Sequence, residues 1–293
     1  MFSMKKITFI FLIVFCLLIT NYYFLSAPNI NKTATTIHIA PNTSLVSISE
    51  ELEARNVVRS ALTLKVLVSF LKSDTQIARG DYLFEKNLPV YKVAWQLASS
   101  RHGISPIKIT FKEGITNNQV ADILATKLSG FRRDLFMADP RTKEGYLFPD
   151  TYFFFQLTTA GEIVDEFSNN FNNQIISLEK DIKNSNRSLS DIIIMASIIE
   201  KEARGKSDAS MISGILWKRI LLGMPLQADA APITYKQKGL PNEAINNPGL
   251  VSINASINPT DSPYLFYLHD KNGMVHYAKD FREHRQNIVR YLK

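Results

Sequence analysis

A charge-free apolar segment near the N-terminus limits what this chain of 293 residues can fold into. After the basic start MFSMKK, the 21 residues at positions 7–27 carry no charged side chain. About 20 apolar residues in a helix are enough to cross the hydrocarbon core of a bilayer. The segment therefore predicts a transmembrane helix at residues 7–27, with the rest of the chain folding after it.

The residues around this segment predict its orientation. Lys5 and Lys6 precede it and no comparable basic cluster follows, which favours residues 1–6 in the cytoplasm and the remaining chain outside. This pattern is typical of a single-pass protein of the cell inner (cytoplasmic) membrane whose bulk is periplasmic. The alternative is a cleaved signal peptide, although the apolar stretch exceeds the ~7 to 15 residues of a signal-peptide core.

The overall composition is that of a globular protein with its own core. Hydrophobic residues make up 45% and charged residues 21% of the chain, which are ordinary values for folded domains. The formal charge of +7 is spread along the chain rather than gathered in one run, so nucleic-acid binding is not expected. The single cysteine, Cys16, lies inside the apolar segment, which excludes a disulfide within one chain.

The pattern of apolar residues predicts several small elements after a polar linker at residues 28–36. A strand at about 36–40, a turn at Pro41 and Asn42, two helices and a second short strand follow one another. A strand-helix-helix-strand unit of this size is typical of a small α+β module. We expect one or two such modules within residues 37–130.

A larger α+β domain is predicted for residues 131–293. This part contains an aromatic-rich segment, several amphipathic helices and a hairpin across Lys271, Asn272 and Gly273, whose Asn-Gly pair is a strong turn signal. Before it, a helix begins near Thr116 or Asn117, either of which can act as the N-cap. The predicted fold class of the whole chain is α+β.

Most familiar reactive sites are missing from the sequence. The chain has no GxGxxG or P-loop sequence, no HExxH motif and no cysteine pair. The five histidines do not fall at ligand spacing within a helix, and no serine lies in a GxSxG sequence. We therefore expect neither a metal nor a cofactor, and carboxylate chemistry remains.

The segment DIIIMASIIEKEARG, residues 191–205, sets a carboxylate against an almost unbroken apolar run. At about 100° per residue, Glu200 projects from the same side of a helix as Ala196 and Ser197, and Glu202 is turned about 200° away. Burial disfavours the charged form of a carboxyl group, which suits Glu200 to proton donation, and the small residues leave room for a substrate. Glu202 is predicted to be exposed to solvent at the end of the helix. The alternative is that Glu200 is merely the first polar residue after a core helix, satisfied by a nearby cation.

Two further clusters of polar side chains are candidates for substrate binding. Glu144, Tyr146 and Asp150 belong to EGYLFPDTY, an aromatic loop of the kind that stacks on sugar rings. Gln227 and Asp229 belong to MPLQADAAP, a loop after an amphipathic helix. The simpler alternative for both aspartates is the capping of a local turn.

Five segments taken together resemble the MltG/YceG-like family of endolytic murein transglycosylases. They are EGYLFPDTY, ASIIEKEA, GILWKRILLGMPLQAD, KGLPNEAINNPGLVSINASINP and YLFYLHDKNGMVHYAKDFREH. The apolar N-terminal segment, the first module and GDYLF are also similar to the N-terminal half of that family. The resemblance implies a LysM-like module in front of a catalytic domain, with Glu200, the first glutamate of EKE, as the catalytic acid.

The resemblance also implies a reaction and its partners. It implies cleavage, without water, of the β-1,4 bond between N-acetylmuramic acid and N-acetylglucosamine within peptidoglycan strands, leaving 1,6-anhydro ends. Trimming of nascent strands beside peptidoglycan synthases would follow. Glu200 would act first as acid and then as base, so a second catalytic carboxylate is not obligatory. Asp150, Gln227 and Asp229 are candidates for stabilising the oxocarbenium-like transition state.

The segment after MPLQ departs from the family pattern. QADAAPITYKQKGLPNEAI is shorter than the corresponding family segment, and Pro241, Asn242, Glu243 and Ala244 stand where the family has PPGPI. We therefore expect a different wall on that side of the cleft. Two rival functions follow: a non-catalytic, membrane-tethered scaffold that binds peptidoglycan, and an ordinary hydrolase that leaves reducing ends.

Overall fold

The computed structural model of the chain describes residues 4–28, 33–72 and 76–293. The chain divides into two compact units, one formed by residues 1–107 with 155–158 and the other by residues 108–154 with 159–293. Helices and short strands occur in both units, so the α+β class is confirmed. The domain boundary between residues 130 and 131 stays a prediction, and it lies inside the second unit.

The N-terminal apolar segment forms helix α1, Met4–Leu25. Several of its apolar side chains are exposed, among them Phe9, Phe11 and Tyr22. Within the ranges described above, no helix combines the length and the hydropathy that a membrane crossing requires, so the span expected at residues 7–27 is not confirmed. Residues 1–3 of the expected cytoplasmic end and residues 29–32 of the expected linker lie outside the described residues.

The first unit continues with the expected strand-helix-helix-strand order and one further helix. These elements are β1 (Thr35–Ile39), α2 (Leu45–Ala54), α3 (Ala61–Leu71), β2 (Gly80–Phe84) and α4 (Val90–Ala98). Strands β1 and β2 pair antiparallel, with Ile37 opposite Tyr82. Their apolar side chains join those of the helices in one buried core, which includes Leu52, Leu64 and Leu97. That the module is LysM-like stays a prediction.

Short polar residues fix the ends of these elements. Asn42 has a φ of 60°, the left-handed conformation that asparagine tolerates, and it forms the turn expected after β1. Ser44 and Ser60 precede α2 and α3, and each hydroxyl oxygen accepts a hydrogen bond from a backbone N–H of the first turn. The helices therefore begin where the sequence supplies a capping side chain.

The second unit contains the remaining elements, except that Ile107, at the start of the next strand, belongs to the first unit. They are β3 (Ile107–Thr110), α5 (Asn117–Lys127), α6 (Arg133–Ala138), β4 (Thr151–Phe154), α7 (Ala160–Asn184), α8 (Leu189–Glu202), α9 (Lys206–Leu221), a 3₁₀ turn (Pro232–Tyr235), α10 (Leu250–Ile257), β5 (Phe266–His269), β6 (Val275–Ala278) and α11 (Phe281–Tyr291). Strand β3 pairs with β4, and β5 pairs antiparallel with β6 across the expected hairpin turn. Thr116 is the N-cap of α5 and forms a capping box with Gln119, which decides between the two expected caps.

Helix α8 carries the apolar run and packs against α9 and α10. Every residue from 192 to 199 is buried. Ile193 lies in one core cluster with Ile253 of α10, and Ile198 lies in a second cluster with Ile212 of α9. Because neighbours cover several sides of α8, the run is apolar all round rather than on one stripe. Glu200 and Glu202 lie at the C-terminal end of this buried helix.

Candidate active site

Glu200 lies near the C-terminal end of α8 and is bound by the first residues of α10. Its Oε2 accepts a hydrogen bond from the backbone N–H of Gly249 at 3.0 Å and another from the hydroxyl of Ser252 at 2.7 Å. Gly249 is the N-cap of α10, and Ser252 lies in the first turn. A helix N-terminus offers free N–H groups and favours negative charge. The carboxyl group is therefore held at a defined position through one of its oxygens.

The other oxygen, Oε1, accepts no hydrogen bond from any residue in the described part of the chain. Nor does a lysine, arginine or histidine of these ranges form an ion pair with Glu200. The sequence left open that a nearby cation satisfies Glu200. In the structure, two uncharged donors bind it instead. One carboxyl oxygen remains for a ligand.

The loop between β3 and α5 packs against Glu200. Gly114 has a φ of 74°, and a Cβ atom at this position would lie 3.3 Å from Cγ of Glu200 and 3.1 Å from Nζ of Lys201. At Gly249, a Cβ atom would overlap the side chain of Glu113, whose Cγ would be only 2.6 Å away. Both glycines therefore allow the backbone to approach a glutamate closely. Sequence reasoning missed Glu113, Gly249 and Ser252 as parts of this site.

Asn247 fixes the same loop from the other side. Its side chain is buried, and its Oδ1 accepts hydrogen bonds from the backbone N–H groups of Gly145 and Leu147 at 3.0 and 2.9 Å. Its Nδ2 donates to the carbonyl oxygen of Ile115 at 3.0 Å and to Oδ1 of Asn117 at 2.7 Å. One amide group thus joins the segments around residues 116, 146 and 247. Nothing in the local sequence distinguishes this asparagine from an ordinary loop residue.

Ser197 lies in the core rather than beside an open cleft. Its hydroxyl donates to the carbonyl oxygen of Ile194 at 2.7 Å and accepts a hydrogen bond from the N–H of Ile245 at 3.1 Å. Asn246 donates to the carbonyl oxygen of Ser197 at 2.7 Å. Ala196 is buried as well. The room for a substrate that was expected beside these small residues is not there, because residues 245 and 246 fill it.

Glu144 and Tyr146 serve the local structure of the aromatic loop. Both carboxyl oxygens of Glu144 accept hydrogen bonds from the backbone N–H of Asn117, the first residue of α5, at 3.0 and 3.2 Å. Burial raises the pKa of Glu144, this hydrogen bond opposes the rise, and the nearby Glu243 adds to it. The ring of Tyr146 lies 5.0 Å from that of Phe171, against the core of the unit.

Asp150 is also engaged by its neighbours. Its Oδ1 accepts a hydrogen bond from the backbone N–H of Thr151 at 2.7 Å, and its Oδ2 accepts one from Asn170 at 3.0 Å. The first contact is the turn-capping alternative that the sequence left open. Asp150 remains exposed. Within the described part of the chain, it forms no hydrogen bond with Glu200.

Glu202 lines a cavity of about 640 Å³. Its Oε1 accepts a hydrogen bond from the N–H of Ala230 at 3.3 Å, and its Oε2 accepts one from the hydroxyl of Tyr267 at 3.1 Å. Burial raises the pKa of Glu202, and the charge of Asp229 adds to the rise. The expectation of a solvated helix end was therefore wrong, because residue 230 and strand β5 cover this end of α8. The two glutamates do bind different segments, as their helical positions predict.

Gln227 and Asp229 line this same cavity, whereas Glu200 is not among its lining residues. Gln227 has a φ of 51°, and Asp229 accepts a hydrogen bond from the hydroxyl of Tyr235. This hydrogen bond, together with burial, raises the pKa of Tyr235 to about 12. No group of three or more histidine, cysteine, aspartate or glutamate side chains within the described ranges is arranged to hold a metal ion.

The chain is similar to known proteins over most of its length. The model of the YceG-like family matches residues 37–233 and 233–290. An endolytic murein transglycosylase of Bacillus subtilis (strain 168) is 27% identical over 311 residues, covering 89% of this chain and 86% of the relative. One of Streptococcus pneumoniae serotype 2 (strain D39 / NCTC 7466) is 23% identical over 326 residues, covering 89% of this chain and 59% of the relative.

A solved structure has a similar fold over most of the chain. The crystal structure of a yceG-like protein from Listeria monocytogenes superimposes with a TM-score of 0.57 and 25% sequence identity, covering 86% of this chain and 98% of the other. The residues matched by the family model include Glu200, Gly249 and Ser252. The chain therefore belongs to the YceG-like family.

Proposed function

We propose that the chain is an endolytic peptidoglycan lytic transglycosylase in which Glu200 acts as both acid and base. The observation that carries this proposal is the fixed carboxyl group of Glu200, which is held through Oε2 while Oε1 has no partner in the described part of the chain. The names of the Bacillus and Streptococcus relatives, endolytic murein transglycosylase, support the reaction class.

The two contacts on Oε2 favour Oε1 as the oxygen that carries the catalytic proton. The N–H of Gly249 and the hydroxyl of Ser252 both donate to Oε2, and this arrangement suits an acid form of Glu200 with its proton on Oε1. Oε1 gives this proton to the glycosidic oxygen between N-acetylmuramic acid and N-acetylglucosamine. The bond from C1 to that oxygen then breaks, and its electron pair stays on the leaving oxygen.

The same carboxyl group completes the reaction as a base. After proton transfer, Glu200 is a carboxylate at the N-terminus of α10, where the two donors stabilise its charge. It takes the proton of the C6 hydroxyl of the muramic residue while that oxygen bonds to C1 and closes the 1,6-anhydro ring. Glu200 ends protonated, as it began, and no water is consumed.

Product analysis with intact sacculi tests this proposal against its rivals. Purified full-length protein should release fragments with 1,6-anhydro ends, which mass spectrometry separates from reducing ends by the mass of one water. Reducing ends would indicate a hydrolase. Binding to sacculi without new ends of either kind would indicate a scaffold, and either result would contradict the proposal.

We also propose that residues 7–27 anchor the chain in the cytoplasmic membrane, with the remainder outside, near nascent strands and their synthases. The exposed apolar side chains of α1, such as Phe9 and Phe11, support this location. Membrane fractions washed with alkaline carbonate should retain the full-length protein and lose a variant that lacks residues 7–27. Release of both by the wash would contradict the anchor.

A further inference from the structure

Glu113 brings a second carboxyl group to the backbone that holds Glu200. A Cβ atom on Gly249 would overlap the side chain of Glu113, with Cγ 2.6 Å away. The N–H of the same Gly249 donates to Oε2 of Glu200 at 3.0 Å. One glycine at the start of α10 therefore contacts both glutamates.

The backbone on both sides of this contact is fixed. The N–H of Gly114 donates to the carbonyl oxygen of Asn247 at 2.8 Å, and the N–H of Asn247 donates to the carbonyl oxygen of Ile115 at 2.9 Å. Gly114 also packs against Cγ of Glu200. The loop that carries Glu113 is thus tied to the segment that leads into α10 and to Glu200 itself, so both carboxyl groups are held by the same framework.

The two glutamates have different surroundings. The side chain of Glu113 is exposed, whereas Glu200 is partly buried at the end of α8. Two carboxyl groups in one site with different environments are typical of glycoside-cleaving enzymes, where one transfers protons and the other remains charged.

We infer that Glu113 is a further catalytic residue, whose carboxylate stabilises the positive charge that develops on C1 and the ring oxygen of the muramic residue. This inference rests on the proposed function and adds a second residue to it. As the C1–O bond breaks, the negative charge of Glu113 attracts the oxocarbenium-like centre, and closure of the C1–O6 bond discharges it. Glu113 neither gains nor loses a proton and forms no bond, so the reaction balances through Glu200 alone.

Steady-state kinetics of full-length variants on purified glycan strands test this role. Glu113→Gln keeps the shape of the side chain and removes its charge, so we expect kcat to fall about 10- to 100-fold while KM changes less than about threefold. Glu113→Asp keeps the charge and should retain more activity than Glu113→Gln. The matched control is Glu179→Gln, an exposed glutamate of α7 that pairs with Lys183, which should stay within about twofold of wild type.

Several results would overturn the inference. A kcat of Glu113→Gln within about twofold of wild type would do so, as would an increase in KM at unchanged kcat, which indicates binding of the ground state alone. Equal losses in Glu113→Gln and Glu113→Asp would show that the charge is not what matters, and circular dichroism checks that both variants fold. If wild-type protein forms no anhydro ends, the proposed function is wrong. If wild type forms them and Glu113→Gln does so at the same rate, only the role of Glu113 is wrong.

Discussion

The hydroxyl of Ser252 donates a 2.7 Å hydrogen bond to Oε2 of Glu200, across a separation of 52 residues in the chain. Together with the N–H of Gly249, it holds the carboxyl group through Oε2 and leaves Oε1 without a partner in the described part of the chain. In the proposed reaction this contact favours Oε1 as the oxygen that carries the proton. Its removal should affect the chemical step more than the fold.

Ser252→Ala should lower kcat about 10- to 100-fold, because the carboxyl group of Glu200 is then held by the N–H of Gly249 alone. The rate of formation of anhydro ends measures this effect. Ser177→Ala is the matched control, since the hydroxyl of Ser177 is exposed and donates to the carbonyl oxygen of Gln174 within its own helix. Equal rates for Ser252→Ala and wild type would show that the contact does not orient Glu200.

Gly249→Ala should lower activity, because the added methyl group overlaps the side chain of Glu113 and displaces it. The free energy of unfolding, measured by urea titration, should change little, because the exposed side chain of Glu113 can move. Gly161→Ala in α7 is the control, because nothing lies within 4 Å of a Cβ atom there and alanine favours a helix. Activity of Gly249→Ala equal to that of wild type would contradict the close contact with Glu113.

Asn247→Ala should lower the free energy of unfolding by about 3 kcal/mol or more, because buried backbone groups lose their hydrogen-bond partner. Two N–H groups and two oxygen acceptors depend on this one amide. The exposed Asn172 of α7 provides the control, and Asn172→Ala should change stability by less than about 0.5 kcal/mol. A small effect of Asn247→Ala would mean that the three segments hold together without it.

Glu202→Gln should change the pH dependence of stability. Because the pKa of Glu202 is raised in the folded state, its contribution to stability is fully present below the pKa of the unfolded chain and is lost as the pH rises through the folded value. The free energy of unfolding of wild type should therefore fall relative to that of Glu202→Gln as the pH rises above the pKa of a glutamate in the unfolded chain, about 4.3. Urea titrations at several pH values measure this difference.

The matched variant Glu179→Gln should not show this trend. Lys183 lowers the pKa of the exposed Glu179, so its effect has the opposite sign, with stability present above the unfolded pKa. A difference between wild type and Glu202→Gln that does not depend on pH would contradict the burial of Glu202.

The features that could be predicted from the sequence are local ones. The strand-helix-helix-strand order, the Thr116 cap and the Asn-Gly hairpin each depend on residues within a few positions of one another. Helical geometry also assigned Glu200 and Glu202 to different sides of α8, and the two bind different segments. In these cases the chemistry that decides the structure is contained in one short segment.

The surroundings of Glu200 were not predictable in the same way. Gly249, Ser252 and Glu113 reach it from elements distant in the chain, and each residue in its own segment looks like an ordinary turn or helix residue. For Glu202, periodicity gave no sign that residue 230 and strand β5 would cover it. Burial of a polar group depends on which elements pack together, and helical periodicity alone does not determine that.

The most direct test of the account is the yield of 1,6-anhydro ends from intact sacculi treated with full-length wild type and Glu200→Gln. The glutamine keeps the size of the side chain and removes the transferable proton. We expect anhydro-ended fragments from wild type and none above background from Glu200→Gln, with closely similar thermal unfolding of the two proteins. An equal yield from a correctly folded Glu200→Gln variant would contradict the central claim that this carboxyl group performs the reaction.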